Sequence, residues 1–119
     1  MYPEIKDRLL ELSNIEEQRM LWLNINNNTG LISSYSELFN TLYPELDIEI
    51  KEAESNELKE GLSQLKIILD EYKEPDGYDI RKGYDSIILN DPNWQKIVAF
   101  TKKMVEDLRI DEIVPKKLD

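Results

Sequence analysis

The chain has 119 residues, of which 40% are hydrophobic and 34% are charged, as expected for one domain with a modest core. Its 25 acidic and 15 basic residues give a net charge of −10, and it contains neither histidine nor cysteine. Nucleic acids and anionic membranes require a basic surface, so both are excluded as principal partners. Without cysteine and histidine, the chain lacks disulfides, thiolate nucleophiles and the commonest general base. We therefore expect no enzyme activity, no metal and no cofactor.

The amino-terminal residues have neither the basic region nor the long apolar region of a secretory signal. No apolar run approaches the roughly 20 residues of a membrane-spanning helix. The sequence therefore predicts a cytoplasmic protein.

Capping residues and apolar spacing predict two helices at the start of the chain. The first begins at Pro3, which is tolerated in a first helical turn, and ends before residue 13. A capping box, Ser13-x-x-Glu16, then opens a second helix over residues 15–24, with Asn14 as the alternative cap. The asparagine-rich residues 24–30 follow it as a loop.

A third helix is predicted to begin at another capping box, Ser34-x-x-Glu37, and to end at Tyr43–Pro44, because the residue before proline avoids helical geometry. Leu46, Ile48 and Ile50 then alternate with two acidic residues, which is typical of a short strand. No partner strand follows, so such a strand would have nothing to pair with.

The second half of the chain contains the two clearest helices. One apolar stripe, with leucines spaced by four and three residues, predicts a helix from Glu57 to Tyr72. The residues Pro75–Gly77 end it with turn chemistry. Residues 78–90 fit either a short helix or an extended piece. Asp91–Pro92 then starts the last helix, which runs to about Leu108.

Together these elements predict an all-α fold: a single compact bundle of about five or six helices over residues 1–109, with a flexible carboxyl-terminal tail at 110–119. The two tryptophans are expected in the core rather than on a binding surface. The expected core residues are Leu9, Trp22, Leu38, Leu62, Leu65, Leu69, Trp94, Ile97, Val98, Met104 and Leu108.

The acidic residues are concentrated in the middle of the chain. Residues 45–79 contain twelve acidic and four basic residues, net −8, whereas residues 1–44 carry −3 and residues 80–119 carry +1. Like charges held close together destabilise a compact fold, so stability alone does not require this distribution. Two interpretations remain open: a solubilising surface, or a face that binds a basic partner.

No chemical motif stands out among these acids. Asp76 and Asp79 are not set in a catalytic pattern, and their segment lacks the ligand spacing of a calcium loop. Tyr78 and Tyr84 lie in the same stretch. They would either form part of a binding surface or pack the loop onto the helices.

Positions spread over residues 2–108 resemble a family of small bacterial cytoplasmic proteins of unassigned function. The matching positions are Tyr2-Pro3-Glu4-Ile5, Gln18 with Trp22, Leu38-Phe39, the acidic turn before Tyr78, and Asp91-Pro92-x-Trp94-x-x-Ile97-Val98. The asparagine-rich loop at 24–28 and the tail depart from the family's pattern. That family has no catalytic motif to transfer, so the resemblance implies a small helical domain and no more.

In size, acidity and lack of catalytic residues, the chain also resembles the immunity proteins of bacterial toxin systems, including contact-dependent growth inhibition. This resemblance implies a binding protein that neutralises a cognate toxin. With the segregated charge, it predicts a basic partner, most concretely a nuclease, whose active site is covered by carboxylates. The residues expected at the contact are Glu49, Glu52, Asp76, Tyr78 and Asp79. The alternatives are a regulatory or adaptor domain that binds another cytoplasmic protein and, less favoured, an enzyme that uses only carboxylates.

Overall fold

The computed structural model describes residues 1–23, 33–79 and 85–114. Its helices are α1 (Pro3–Leu12), α2 (Ile15–Trp22), α3 (Tyr35–Leu42), α4 (Leu46–Glu52), α5 (Asn56–Glu71), α6 (Asp85–Leu89) and α7 (Pro92–Asp107), with 3-10 turns at Tyr43–Glu45 and Ile110–Glu112. Six of the α-helices have seven residues or more, and α6 has five. The described residues form no strand, so the predicted all-α bundle is confirmed.

Side-chain caps begin four helices. The cap of α2 is Asn14, the alternative given by the sequence, and not Ser13 of the predicted capping box. Asn14, Ser34 and Ser55 each accept a hydrogen bond from the backbone N–H three residues further on, at 3.0–3.1 Å. Asp91 accepts one from the N–H of Asn93 at 3.1 Å. Each cap satisfies an N–H that would otherwise have no partner in the first turn. Local sequence therefore determines where these helices begin.

Residues 46–50, which the alternation suggested as a short strand, are helical. α4 buries Leu46 and Glu49, whereas Ile48 is 45% exposed. Burial therefore follows the three-to-four-residue period of a helix and not the two-residue period of a strand. α4 packs on α5, and this packing determines the conformation because most helix stability in proteins comes from tertiary contacts.

The core lies between α1, α5 and α7, and α7 contacts both of the other two helices. Trp22 and Trp94 are both buried, so the prediction for the tryptophans is confirmed. The other expected core residues are buried as well, except Leu108, which is half-buried. None of the described helices is long and apolar enough to span a membrane.

The packed domain continues beyond residue 109, where the sequence suggested a flexible tail. Arg109 has φ +51°, a left-handed conformation that turns the chain at the end of α7. Ile110 thereby returns to the core and is fully buried. The Nζ of Lys6 donates to the carbonyl of Ile113 at 2.8 Å. The expected boundary is therefore too early, and residues 115–119 lie outside the described part of the chain.

The side-chain amide of Gln18 connects three helices inside the core. Its Nε2 donates to the backbone carbonyls of Glu11 and Leu12, at 3.0 and 3.1 Å. These are two of the last four carbonyls of α1, which lack partners within the helix. The Oε1 of Gln18 accepts a hydrogen bond from Nε1 of Trp94 at 2.9 Å. Gln18, on α2, thus fixes the end of α1 against the start of α7.

We expect Gln18→Leu to lower the free energy of unfolding by about 2–4 kcal/mol, because the carbonyl of Leu12 and the indole N–H of Trp94 lose their partner inside the core. Gln64→Leu is the matched control, since Gln64 is exposed on α5 and surface changes usually stay within about 0.5 kcal/mol. Urea denaturation measures both variants. Equal effects of the two substitutions would contradict the role given to Gln18.

Candidate functional site

The predicted contact residues lie at opposite ends of α5. Glu52 ends α4, close in sequence to the start of α5, whereas Asp76, Tyr78 and Asp79 follow the end of α5. With 16 residues and a rise of about 1.5 Å per residue, α5 is about 24 Å long. The structure therefore brings three of the five predicted residues together and leaves Glu52 with a different group of acids.

Glu49 is buried, with 4% of its surface exposed. Its Oε1 accepts a hydrogen bond from the backbone N–H of Tyr2 at 3.2 Å. This carboxylate holds the amino-terminal residues against α4. It is not displayed on the surface where a partner would meet it.

The carboxylate of Glu11 is likewise occupied inside the fold. Its Oε2 accepts from Nε1 of Trp22 at 3.0 Å and from Oγ of Ser33 at 2.8 Å. Its Oε1 pairs with Arg8 at 3.1 Å. The neighbouring positive charge and three hydrogen bonds explain how an acid can be buried here.

A dense group of exposed acids lies at the end of α5. We call residues 70–79 the acidic cluster; they contain five acidic residues and one basic residue, net −4. The acids are Asp70, Glu71, Glu74, Asp76 and Asp79, and all but the half-buried Asp79 are exposed. The last turn of α5 contains no basic residue, although the carboxyl-terminal end of a helix is partially negative and is stabilised by cations. The arrangement therefore opposes the helix dipole.

Tyrosine hydroxyls donate to carboxylates in and beside this cluster. Tyr43 donates to Asp70, and Tyr35 donates to Glu74 at 3.1 Å. Tyr72 donates to Asp91 at 2.7 Å. A phenol carries no charge when it is protonated, so these bonds position the carboxylates without neutralising them. Across the part of the chain that the structure describes, the side chains of Glu71 and Asp76 form no hydrogen bond or ion pair.

The hydroxyls of Tyr35, Tyr72 and Tyr78 are protonated at neutral pH. Burial, followed by nearby Glu74, raises the pKa of Tyr35, and burial, followed by the bond to Asp91, raises the pKa of Tyr72. Burial raises the pKa of Tyr78 to about 12, with smaller contributions from nearby carboxylates. These hydroxyls therefore stay protonated at neutral pH.

A tight turn determines the direction of the chain within the cluster. The N–H of Tyr78 donates to the carbonyl of Pro75 at 3.2 Å, and Gly77 adopts φ +92°, which favours glycine. Asp76 is thereby left in solvent. The ring of Tyr78 packs edge-on against Tyr35, with ring centroids 5.3 Å apart.

Tyr78 therefore packs the turn onto the helices and is half-buried, which fits the packing interpretation of this residue. Tyr84, the other tyrosine for which both interpretations were open, lies outside the described residues. The sequence-based choice of contact residues omitted Glu71. The pattern that points to it is the last turn of α5, which has two acids and no base.

Comparison with known proteins gave no match among family models, curated proteins or solved structures. Within the described ranges, no group of three or more acidic residues is arranged to hold a metal ion. The case for a function therefore rests on the charge and packing of this chain.

Asp85, at the start of α6, contacts Tyr35, one of the aromatic residues of this region. It is only 6% exposed and receives a backbone hydrogen bond from Tyr35. Burial raises the pKa of its carboxyl group, and the bond from Tyr35 opposes this in part. The folded protein therefore holds this proton more tightly than the unfolded chain does, and stability contributed by Asp85 falls as pH rises from about 4, the ordinary aspartate value.

We expect Asp85→Asn to be more stable relative to the native protein at pH 7 than at pH 3, because the variant has no buried charge to form as pH rises. Its amide oxygen can still accept the bond from Tyr35. Denaturation midpoints measured between pH 3 and 7 test this. Asp111→Asn, at an exposed position, controls for the loss of one negative charge. A stability difference for Asp85→Asn that does not change with pH would contradict the assignment.

Proposed function

We propose that this protein is an immunity protein, which binds a cognate bacterial toxin through its acidic cluster and so neutralises it. The toxin is a basic nuclease whose active site attracts phosphates. The carboxylates of the acidic cluster imitate the phosphate charges and cover that site in a stoichiometric complex.

The observation that carries this proposal is the charge at the end of α5. Five acids and one base occupy ten consecutive residues, at the helix end where negative charge is unfavourable. Side-chain donors to Asp70 and Glu74 are the uncharged hydroxyls of Tyr43 and Tyr35. The negative field is therefore kept available for a positive partner, and such fields accelerate association and select partners.

The second group of acids, around the connection from α4 to α5, is a weaker candidate. Residues 45–54 likewise contain five acidic residues and one basic residue, but Glu49 is buried and Asp47 pairs with Lys66. Lys51 and Lys59 lie among the exposed acids there. Mixed charges are typical of a solvated surface. Glu52, one of the residues predicted from the sequence, belongs to this group.

If a basic protein is encoded beside the gene for this chain, it is the first partner to test. A one-to-one mixture with the chain should abolish its nuclease activity. An adaptor domain of the same surface charge would bind a partner without inhibiting it, so binding with undiminished nuclease activity would favour the adaptor.

Charge reversal at Glu71 and Asp76 should slow association with that partner by at least tenfold at low salt, because both carboxylates are exposed and have no internal bond. The difference should shrink as salt rises, since exposed charges more than about 8–10 Å apart are screened. Association rates of the double variant Glu71→Lys, Asp76→Lys measure this.

Two further double variants change the net charge by the same amount. Glu54→Lys with Glu57→Lys alters the α4–α5 connection, and Glu106→Lys with Asp111→Lys alters exposed positions near the carboxyl-terminal end. Both should retain most of the native association rate. If all three pairs slow association equally, net charge and not the acidic cluster is responsible.

A further inference from the structure

A groove borders the acidic cluster, between the last turns of α5 and the first half of α7. It has a volume of about 460 Å³. Ile68 and Tyr72 line it from the α5 side and Ile97 and Phe100 from α7. Ile97 is buried and the other three are half-buried, so these side chains form an apolar floor that is open to solvent.

Three charged residues line the groove. Glu71 and Lys73 lie at the end of α5, and Lys96 lies on α7. The rim itself therefore has more lysine than acid, and the negative charge beside it belongs to the acidic cluster, which continues from Glu71 through Glu74 and Asp76. A positively charged occupant would meet opposite charges at Glu71 and at the acidic cluster, and like charges at Lys73 and Lys96.

We propose that this groove receives a large apolar side chain of the basic partner, with lysine or arginine residues beside it that contact Glu71 and Asp76. The inference rests on the proposed function and adds the anchor to it. Stable interfaces commonly bury a central aromatic or aliphatic side chain and surround it with charged residues. A groove of this volume lies at the small end of ligand pockets, which suits one or two side chains.

The two sources of binding energy then have different roles. The acidic cluster draws the partner in and orients it, because electrostatic complementarity acts mainly on association and on specificity. Removal of apolar surface from water at the groove acts mainly on dissociation. Lys96 and Lys73 restrict the orientation, since the partner's cations must lie toward Glu71 and Asp76 and away from both lysines.

Three short peptides test the anchor without knowledge of the natural partner. The first has a leucine–phenylalanine pair between two lysines on each side. In the second, serines replace the apolar pair, and in the third, glutamates replace the lysines. Titrations of the full chain with each peptide to millimolar concentration are followed by the amide NMR signals of Ile97 and Phe100.

We expect the first peptide to shift these signals and the serine peptide to bind at least tenfold more weakly, because it lacks the apolar side chains that the groove would bury. The glutamate peptide should also bind more weakly. Equal binding of the first and serine peptides would overturn the anchor while leaving charge recognition, and with it the proposed function, intact. No shift with the first peptide would overturn the anchor too.

Three single substitutions at the groove separate the anchor from the charge. Lys96→Glu should strengthen binding of the first peptide severalfold, because it adds an acidic residue on the α7 side of the groove, and Glu71→Lys should weaken it.

Asn93→Trp, at an exposed position that lines the groove, should block the peptide by filling the space. Unchanged binding in Asn93→Trp would overturn the placement. Loss of toxin binding in Glu71→Lys, Asp76→Lys but not in Asn93→Trp would support the proposed function without the anchor.

Discussion

The buried amide of Gln18 is the interaction on which the position of the acidic cluster depends. It holds two carbonyls at the end of α1 and the indole N–H of Trp94. Trp94 in turn contacts the rings of Tyr35 and Tyr72, with centroids 5.3 Å from each. Those two tyrosines donate to carboxylates at the end of α5 and the start of α7, and Tyr35 also packs against Tyr78. A single hydrogen-bonded side chain in the core is therefore connected, through aromatic rings, to the geometry of an exposed charged surface.

The tyrosine hydroxyls explain how the fold tolerates the exposed carboxylates of the acidic cluster. Asp70 and Glu74 stand where the dipole of α5 is unfavourable to them, and each lies beside a tyrosine hydroxyl. A lysine or arginine in place of the phenol would stabilise the helix end more strongly, but it would also cancel the charge. Hydroxyl donors give part of the stabilisation and keep the negative field. Asp47 contrasts with this pattern, because it pairs with Lys66 and contributes little net charge to its surroundings.

Much of the fold could be predicted from local features, and the exceptions have identifiable causes. Helix starts were predictable because Ser34 and Asp91 act through backbone groups only two or three residues away. The alternation at 46–50 was misleading because Ile48 is in solvent, and only the packing of α4 on α5 shows this. Glu49 is predicted as a surface acid because local sequence does not show its partner: the N–H of Tyr2 is 47 residues away. The turn at Asp76 was predictable from Pro75 and Gly77, but its attachment to Tyr35 was not, because nothing local relates residues so far apart.

The same electrostatics connects stability with binding. The carboxylates of the acidic cluster repel one another in the free protein, and the tyrosine hydroxyls do not remove that repulsion because they are uncharged. Lys73 offsets one of the five charges. The others can be offset by salt, which screens them weakly and without preference, or by a basic partner that places cations beside them. A partner that contacts Glu71 and Asp76 would relieve the repulsion between the carboxylates. The same partner would bury the apolar floor of the neighbouring groove. Under the proposed function, the free energy that the fold gives up by placing acids at a helix carboxyl terminus would be recovered in part in the complex, so the unfavourable position of these residues would favour a basic partner.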